Sequence, residues 1–175
     1  MFSFFKKDKD KQPGEEKQVN LANTEVAPGT GITYKKDLID RYKLDHQYLL
    51  TLYNAANDAF VQGEYSVVAV RLNEMREALR KHLLDEELNF YVYMLHCYSH
   101  DIEVTDIIVS YKKEMKQLGL TAFGFLKKCV DMGDTLSSDE NFLREFKTVG
   151  QLLIKRISSE ENQLYPLYRP PGEFH

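Results

Sequence analysis

Apolar residues recur at intervals of three and four along most of the chain from Tyr34 onward. That period is the one a helix with a single buried face requires. A first segment carries Ile39, Tyr42, His46, Leu49, Tyr53, Ala56 and Phe60 before Gly63 ends it. A second, from about Ser66, carries Val68, Leu72, Met75, Leu79, His82, Glu86, Phe90, Tyr93 and Cys97. A third runs from about Val104 to Met132 through Ile108, Tyr111, Met115, Leu118, Ala122, Leu126 and Cys129, with Gly133 as its stop. A fourth, capped at Ser137 or Ser138, carries Phe142, Phe146, Val149, Leu153, Arg156, Glu160 and Leu164 until Pro166, and Pro170-Pro171 prevents its resumption. No segment alternates as a strand would. Four amphipathic helices with short connections predict an all-α fold, an antiparallel up-down-up-down four-helix bundle. Gly119 and Gly124 interrupt the third helix and predict close packing or a bend there.

Residues 1–31 have a different composition. Lys, Asp, Glu, Gln, Asn, Pro and Gly dominate from Lys6 to Gly31, and no periodicity is present. This reads as a flexible tail ahead of a bundle spanning residues 32–175. Phe2, Phe4 and Phe5 stand out in it, followed by Lys6, Lys7, Lys9 and Lys11. They read as a partner-docking peptide or a weak membrane-surface anchor, against the plainer reading of a frayed terminus. No apolar run reaches the roughly 18 residues of a membrane span. The net charge of −4 argues against a nucleic-acid partner, whose binding proteins usually carry a basic excess. Two cysteines, Cys97 and Cys129, without a CxxC, suit a reducing compartment, so a cytoplasmic location is expected.

The polar residues on the apolar stripes are the informative ones, because an ionisable group inside a bundle must be paired or metal-bound. They are His46 on the first stripe, His82 and Glu86 on the second, and Arg156 with Glu160 or Glu161 on the fourth. His82 and Glu86 lie one helical turn apart on one face, a spacing that suits two ligands to one ion. His96 and His100 form another such pair, about four turns away from His82. They read as helix-end histidines ahead of a zinc site. The sequence has no Ser-His-Asp spacing, phosphate-binding glycine loop or HExxH, and no enzyme is expected.

Asp45-His46-Gln47-x-Leu49-Leu50, then His82-x-x-x-Glu86-Glu87, then Glu160-Glu161-x-x-Leu164-Tyr165-Pro166-Leu167 resembles the hemerythrin-like HHE family. The resemblance runs from about Tyr34 to Tyr168. It implies a four-helix bundle around an oxo-bridged iron pair that binds or senses oxygen, iron or redox state. His46 stands at the first-helix ligand of that family, and His82 and Glu86 at the second-helix pair. The third-helix histidine pair is absent, with Tyr111 and Met115 at that spacing. Arg156 and Glu161 stand where the fourth helix would bring His and Asp. A guanidinium has no lone pair to give iron. It can pair with Glu86, Glu160 or Glu161. The expectation is that this ionic contact, Arg156 with Glu160, substitutes for the metal, and that no cofactor is bound. The alternative is one metal, iron, on His46, His82, Glu86 and Glu161.

Leu38-Ile39-Asp40-Arg41-Tyr42 and Leu49-Leu50-x-Leu52-Tyr53-Asn54 resemble the start of the regulator of sigma D family, whose members are helical bundles that bind a sigma factor. Together these features predict a non-enzymatic regulatory module that binds a protein partner. An iron-dependent oxygen or redox sensor and a sigma-factor-binding regulator are the alternatives.

Overall fold

A computed structural model describes residues 26–27, 29–138 and 141–173. Phe2, Phe4, Phe5 and the lysines beside them lie outside the described residues. The elements are α1 (Leu38–Val61), α2 (Tyr65–Asp85), a π-helical turn (Glu86–Tyr91), α3 (Val92–Cys97), α4 (Ile102–Met132), a 3-10 turn (Gly133–Ser138), α5 (Phe142–Ser159), a second π-helical turn (Glu160–Leu164) and a 3-10 turn (Tyr165–Leu167). The backbone passes from α2 through its π turn into α3 without leaving helical angles, so these make one rod. The described residues thus form four rods, as the stripes predict.

The rods alternate in direction, and the core shows it. Two apolar clusters occupy the bundle ends. One is largely aliphatic and holds Leu49, Leu52, Leu72, Leu79, Ala122, Leu126 and Leu153. The other is largely aromatic and holds Tyr42, Phe90, Tyr91, Tyr93, Ile108, Tyr165 and Tyr168. Reading along the chain, α1 runs from the aromatic end to the aliphatic end, and α2 returns. α4 and α5 repeat the pair. This is the up-down-up-down order.

Local chemistry sets most boundaries. Gly63 takes φ 76° directly after α1, a conformation that costs other residues strain. Asp101 caps α4 by accepting a 3.0 Å bond from the Val104 N–H. The fourth rod differs from its expected start. α5 begins at Phe142 with Asn141 in the capping position, and the Ser137–Ser138 region belongs to the preceding 3-10 turn. The connection therefore folds as a tight turn rather than as the first turn of the helix. The segment just before α1 also packs onto the bundle. Val26 bridges Thr33, and Ala27 is 1% exposed within the aromatic cluster.

The helix glycines divide by role. A Cβ on Gly119 would lie 3.0 Å from Leu83 Cδ1, so this glycine lets α4 approach α2. Gly124 has open space around it. Gly150 is the most constrained, because a methyl there would overlap the ring of Tyr53. That ring stacks on Phe146 at 4.4 Å between centroids.

Gly150→Ala sets helix propensity, worth about 1 kcal/mol in favour of alanine, against overpacking that costs about 1–3 kcal/mol. We expect net destabilisation in the native background. In a Tyr53→Ala background the same substitution should stabilise. Urea titration of the four chains reads the change of sign, and equal effects in both backgrounds would exclude the contact as its cause.

Candidate metal centre

Between the two apolar clusters runs one polar layer. His46 lies between Tyr42 and Leu49, His82 and Glu86 between Leu79 and Phe90, and Arg156 and Glu160 between Leu153 and Leu164. α4 contributes no ligand to this layer, only Met115 and Tyr111. His46, His82, Glu86, Arg156 and Glu160 are all buried, and Glu86 is 0% exposed.

The two imidazoles face each other, with Nε2 to Nε2 at 3.1 Å. Their other nitrogens point at carboxylates. His46 Nδ1 bonds Glu161 Oε1 at 2.8 Å, and His82 Nδ1 bonds Asp45 Oδ2 at 3.4 Å. An ionised carboxylate only accepts, so each Nδ1 carries the proton and each Nε2 presents its lone pair inward. This is the carboxylate–histidine arrangement that orients imidazoles toward a metal. Two facing lone pairs repel unless a proton or a cation stands between them.

The inner carboxylates complete the set. Glu160 Oε2 lies 3.4 Å from His46 Nε2, and Glu86 Oε2 lies 3.7 Å from His82 Nε2. Both oxygens are buried without a hydrogen-bond partner among the described residues. Their companion oxygens are satisfied: Glu86 Oε1 accepts from the Tyr165 hydroxyl at 2.7 Å, and Glu160 Oε1 accepts from Arg156 Nε at 2.7 Å. His46, His82 and Glu160 offer donor atoms that all lie within 4.8 Å of one another. An ion with bonds of about 2.1 Å spaces its ligands by about 3–3.5 Å, which matches the contacts of His46 with His82 and Glu160, while the 3.7 Å contact of Glu86 is wider. The cavity at this point, lined by His46, His82, Arg156 and Glu160, measures about 10 Å³. That is about the space of one probe sphere. The donor set and the orphaned oxygens therefore fit one cation.

A guanidinium holds the other side of the layer. Arg156 Nη2 donates to the Tyr91 hydroxyl at 2.9 Å, and its central carbon lies 4.7 Å from the centroid of the Tyr111 ring. The Tyr111 hydroxyl in turn donates to Gln163 Oε1 at 2.6 Å and shares a hydrogen bond with Ser159. Arg156 Nη1 reaches toward Glu114 at 3.7 Å. Burial works against the charge on Arg156, but Glu160, Tyr91 and Glu86 outweigh it and raise its pKa. Burial, and next the charge of Glu160, push the Glu86 carboxyl well above the usual carboxylate range. Burial alone would lower the pKa of His46. The nearby carboxylates of Glu160, 3.4 Å from Nε2, and Glu161, bonded to Nδ1, overcome this and raise it, so without a cation a proton on His46 relieves the facing lone pairs.

The structure thus brings His46, His82 and Glu160 together around one point, with Glu86 Oε2 at its edge, 3.7 Å from His82 Nε2. Glu161 stands behind the His46 ring, not beside its Nε2, and its side chain is 30% exposed. Glu160 places one oxygen on Arg156 and turns the other toward the histidines, a position expected of Glu161. His96 and His100 are exposed at the end of α3 and in the turn beyond, away from this layer. The spacing of the stripes did not single out Tyr91, Tyr165 or Asp45. Tyr91 falls one residue off its stripe, and the π turn of Glu86–Tyr91 is what rotates it inward.

The sequence matches the hemerythrin HHE cation-binding domain over residues 37–168. No curated protein and no solved structure matches the chain. The likeness to the regulator of sigma D family has no counterpart in these comparisons.

Removing Arg156 leaves buried carboxylates without their cation. In metal-stripped protein, Arg156→Ala should cost about 3–5 kcal/mol on denaturant titration. Adding Glu160→Gln to that variant should recover much of the loss. A loss below about 1 kcal/mol would place the pair in the class of exposed ion pairs.

Proposed function

The chain belongs to the hemerythrin HHE cation-binding family, and from that premise we propose that it is a non-enzymatic regulatory module that holds a single iron-class cation. One observation carries the reading. Two imidazoles, each backed by a carboxylate, turn their Nε2 atoms toward each other, with the Tyr165 hydroxyl 3.3 Å from that of His46, beside two buried carboxylate oxygens that have no partner among the described residues. His46, His82, Glu86 and Glu160 would hold the ion, while Asp45 and Glu161 orient the histidines. A mixed imidazole and carboxylate set suits iron. Bound there, iron would supply a redox-active centre that responds to oxygen or to iron supply.

Arg156 supports one ion in preference to two. Its permanent charge already compensates Glu160 on the side of the layer where α4 brings Tyr111 and Met115 and no ligand. The expectation of a metal-free centre rests on the same contact, but that contact leaves Glu160 Oε2 and Glu86 Oε2 unanswered. A regulatory role in preference to catalysis is supported by the burial of every inner donor and by a cavity of only about 10 Å³ beside them. A substrate has no room there. The state of the centre is then what the module reports, and a protein is the partner we propose it reports to.

Elemental analysis of untagged protein from iron-supplemented cells should find about one iron per chain. Glu160→Gln should lower that content, with the helical circular dichroism unchanged. Two irons per chain would overturn the single-ion reading. No iron in folded protein would return the centre to the metal-free ionic contact.

The outer carboxylates give a separate check. Asp45→Asn removes an orienting partner without touching a donor, and such changes weaken metal binding by about 10–100-fold. Competition with a coloured chelator measures this. Unchanged affinity would detach Asp45 from the centre.

A further inference from the structure

A second cavity lies beside the polar layer. It is a groove of about 610 Å³ between the end of α2 with its π turn and the middle of α4. Pockets that take small organic ligands commonly measure about 300–1,000 Å³. Its walls are Leu83, Tyr91, Met115 and Phe123, with Val109 and Leu120 at the rim. Val109 is 47% and Leu120 61% exposed. Gly119 deepens it, since any side chain there would press on Leu83.

The polar groups are unevenly placed. The Tyr91 hydroxyl accepts from Arg156 and is turned to that side, and Leu83, Met115 and Phe123 carry no strong hydrogen-bonding group, so the walls offer few polar partners. A peptide laid in the groove would lose water from its N–H and C=O groups without replacement, which is costly. An unbranched hydrocarbon chain has no such groups. One margin carries Lys112, Lys113 and Lys116. Lys112 is paired with Glu87 at 2.7 Å. Lys113 and Lys116 have no acidic partner among the described residues, although the chain as a whole has a net charge of −4.

An apolar slot with two uncompensated cations at its margin complements an amphiphile with an anionic head. We propose that this groove binds a long-chain fatty acid, with its hydrocarbon chain along Leu83, Met115 and Phe123 and its carboxylate at Lys113 and Lys116. The site does not depend on a cation at the histidines. It does share Leu83 and Met115 with the small cavity beside the donors, so the two sites have a common wall.

The test is displacement of the fluorescent fatty acid dansyl-undecanoic acid from the full chain. Dodecanoate and hexadecanoate should displace it at micromolar concentration, below their micelle thresholds. Dodecan-1-ol and acetate should be weaker by about tenfold or more. Lys113→Glu with Lys116→Glu should weaken binding by about tenfold. Val109→Ser with Leu120→Ser should weaken it as well. All four positions are exposed, and thermal unfolding confirms that each variant folds. Absence of displacement, affinity unchanged from the native chain in both double variants, or binding only to phosphatidylglycerol vesicles would overturn the proposal. The vesicle result would assign the lysines to a membrane surface instead.

Discussion

Everything in this bundle is arranged around the cost of burying charge. Five ionisable side chains cross its middle, and an ion taken out of water without a partner is worth several kcal/mol of instability. Each neighbouring choice answers part of that cost. Arg156 meets Glu160 and Tyr91, Tyr165 meets Glu86, and Glu161 and Asp45 meet the outer faces of the histidines. Four buried polar atoms remain without a hydrogen-bond partner among the described residues, Tyr42 Oη, Arg156 Nη1 and the two carboxylate oxygens that face the imidazoles.

The layer is divided between a cation that belongs to the chain and a set of inward-facing donors. Arg156 stands on the α5 and α4 side, where Tyr111 covers the guanidinium with its ring face, and the donors come from α1, from α2 and from the π turn after α5. Such a layer is rigid where it is paired and demanding where it is not, which suits a site that distinguishes between occupied and empty states.

Much of the architecture was legible from spacing alone. The fourth stripe, Phe142 through Leu164, is buried at every position named for it: α5 keeps its period from Phe142 to Arg156, and Glu160 and Leu164 open and close the π turn that follows. The first stripe was less sharp: Leu38, Leu52 and Ala59 are buried, while Ile39, Tyr53 and Phe60 lie at its edge. Polar residues on the stripes marked the layer and its five members. The division of labour between Glu160 and Glu161 was not legible, since adjacent residues differ by about 100° in direction and only the packed helix shows which one faces in. Tyr91 and Tyr165 escaped for a related reason. Each follows or closes a turn wider than the α-helical one, and a fixed period cannot see that change of phase.

Those two wide turns have a consequence for the molecule as a whole. They lie at Glu86–Tyr91 and Glu160–Leu164, on the two rods that bring carboxylates into the layer. Each takes up about one residue more than an α-helical turn would, so the helix beyond it restarts at a new angle. On those two rods the aliphatic and aromatic ends follow different helical phases, whereas α1 and α4 run unbroken through both ends and hold them in one register.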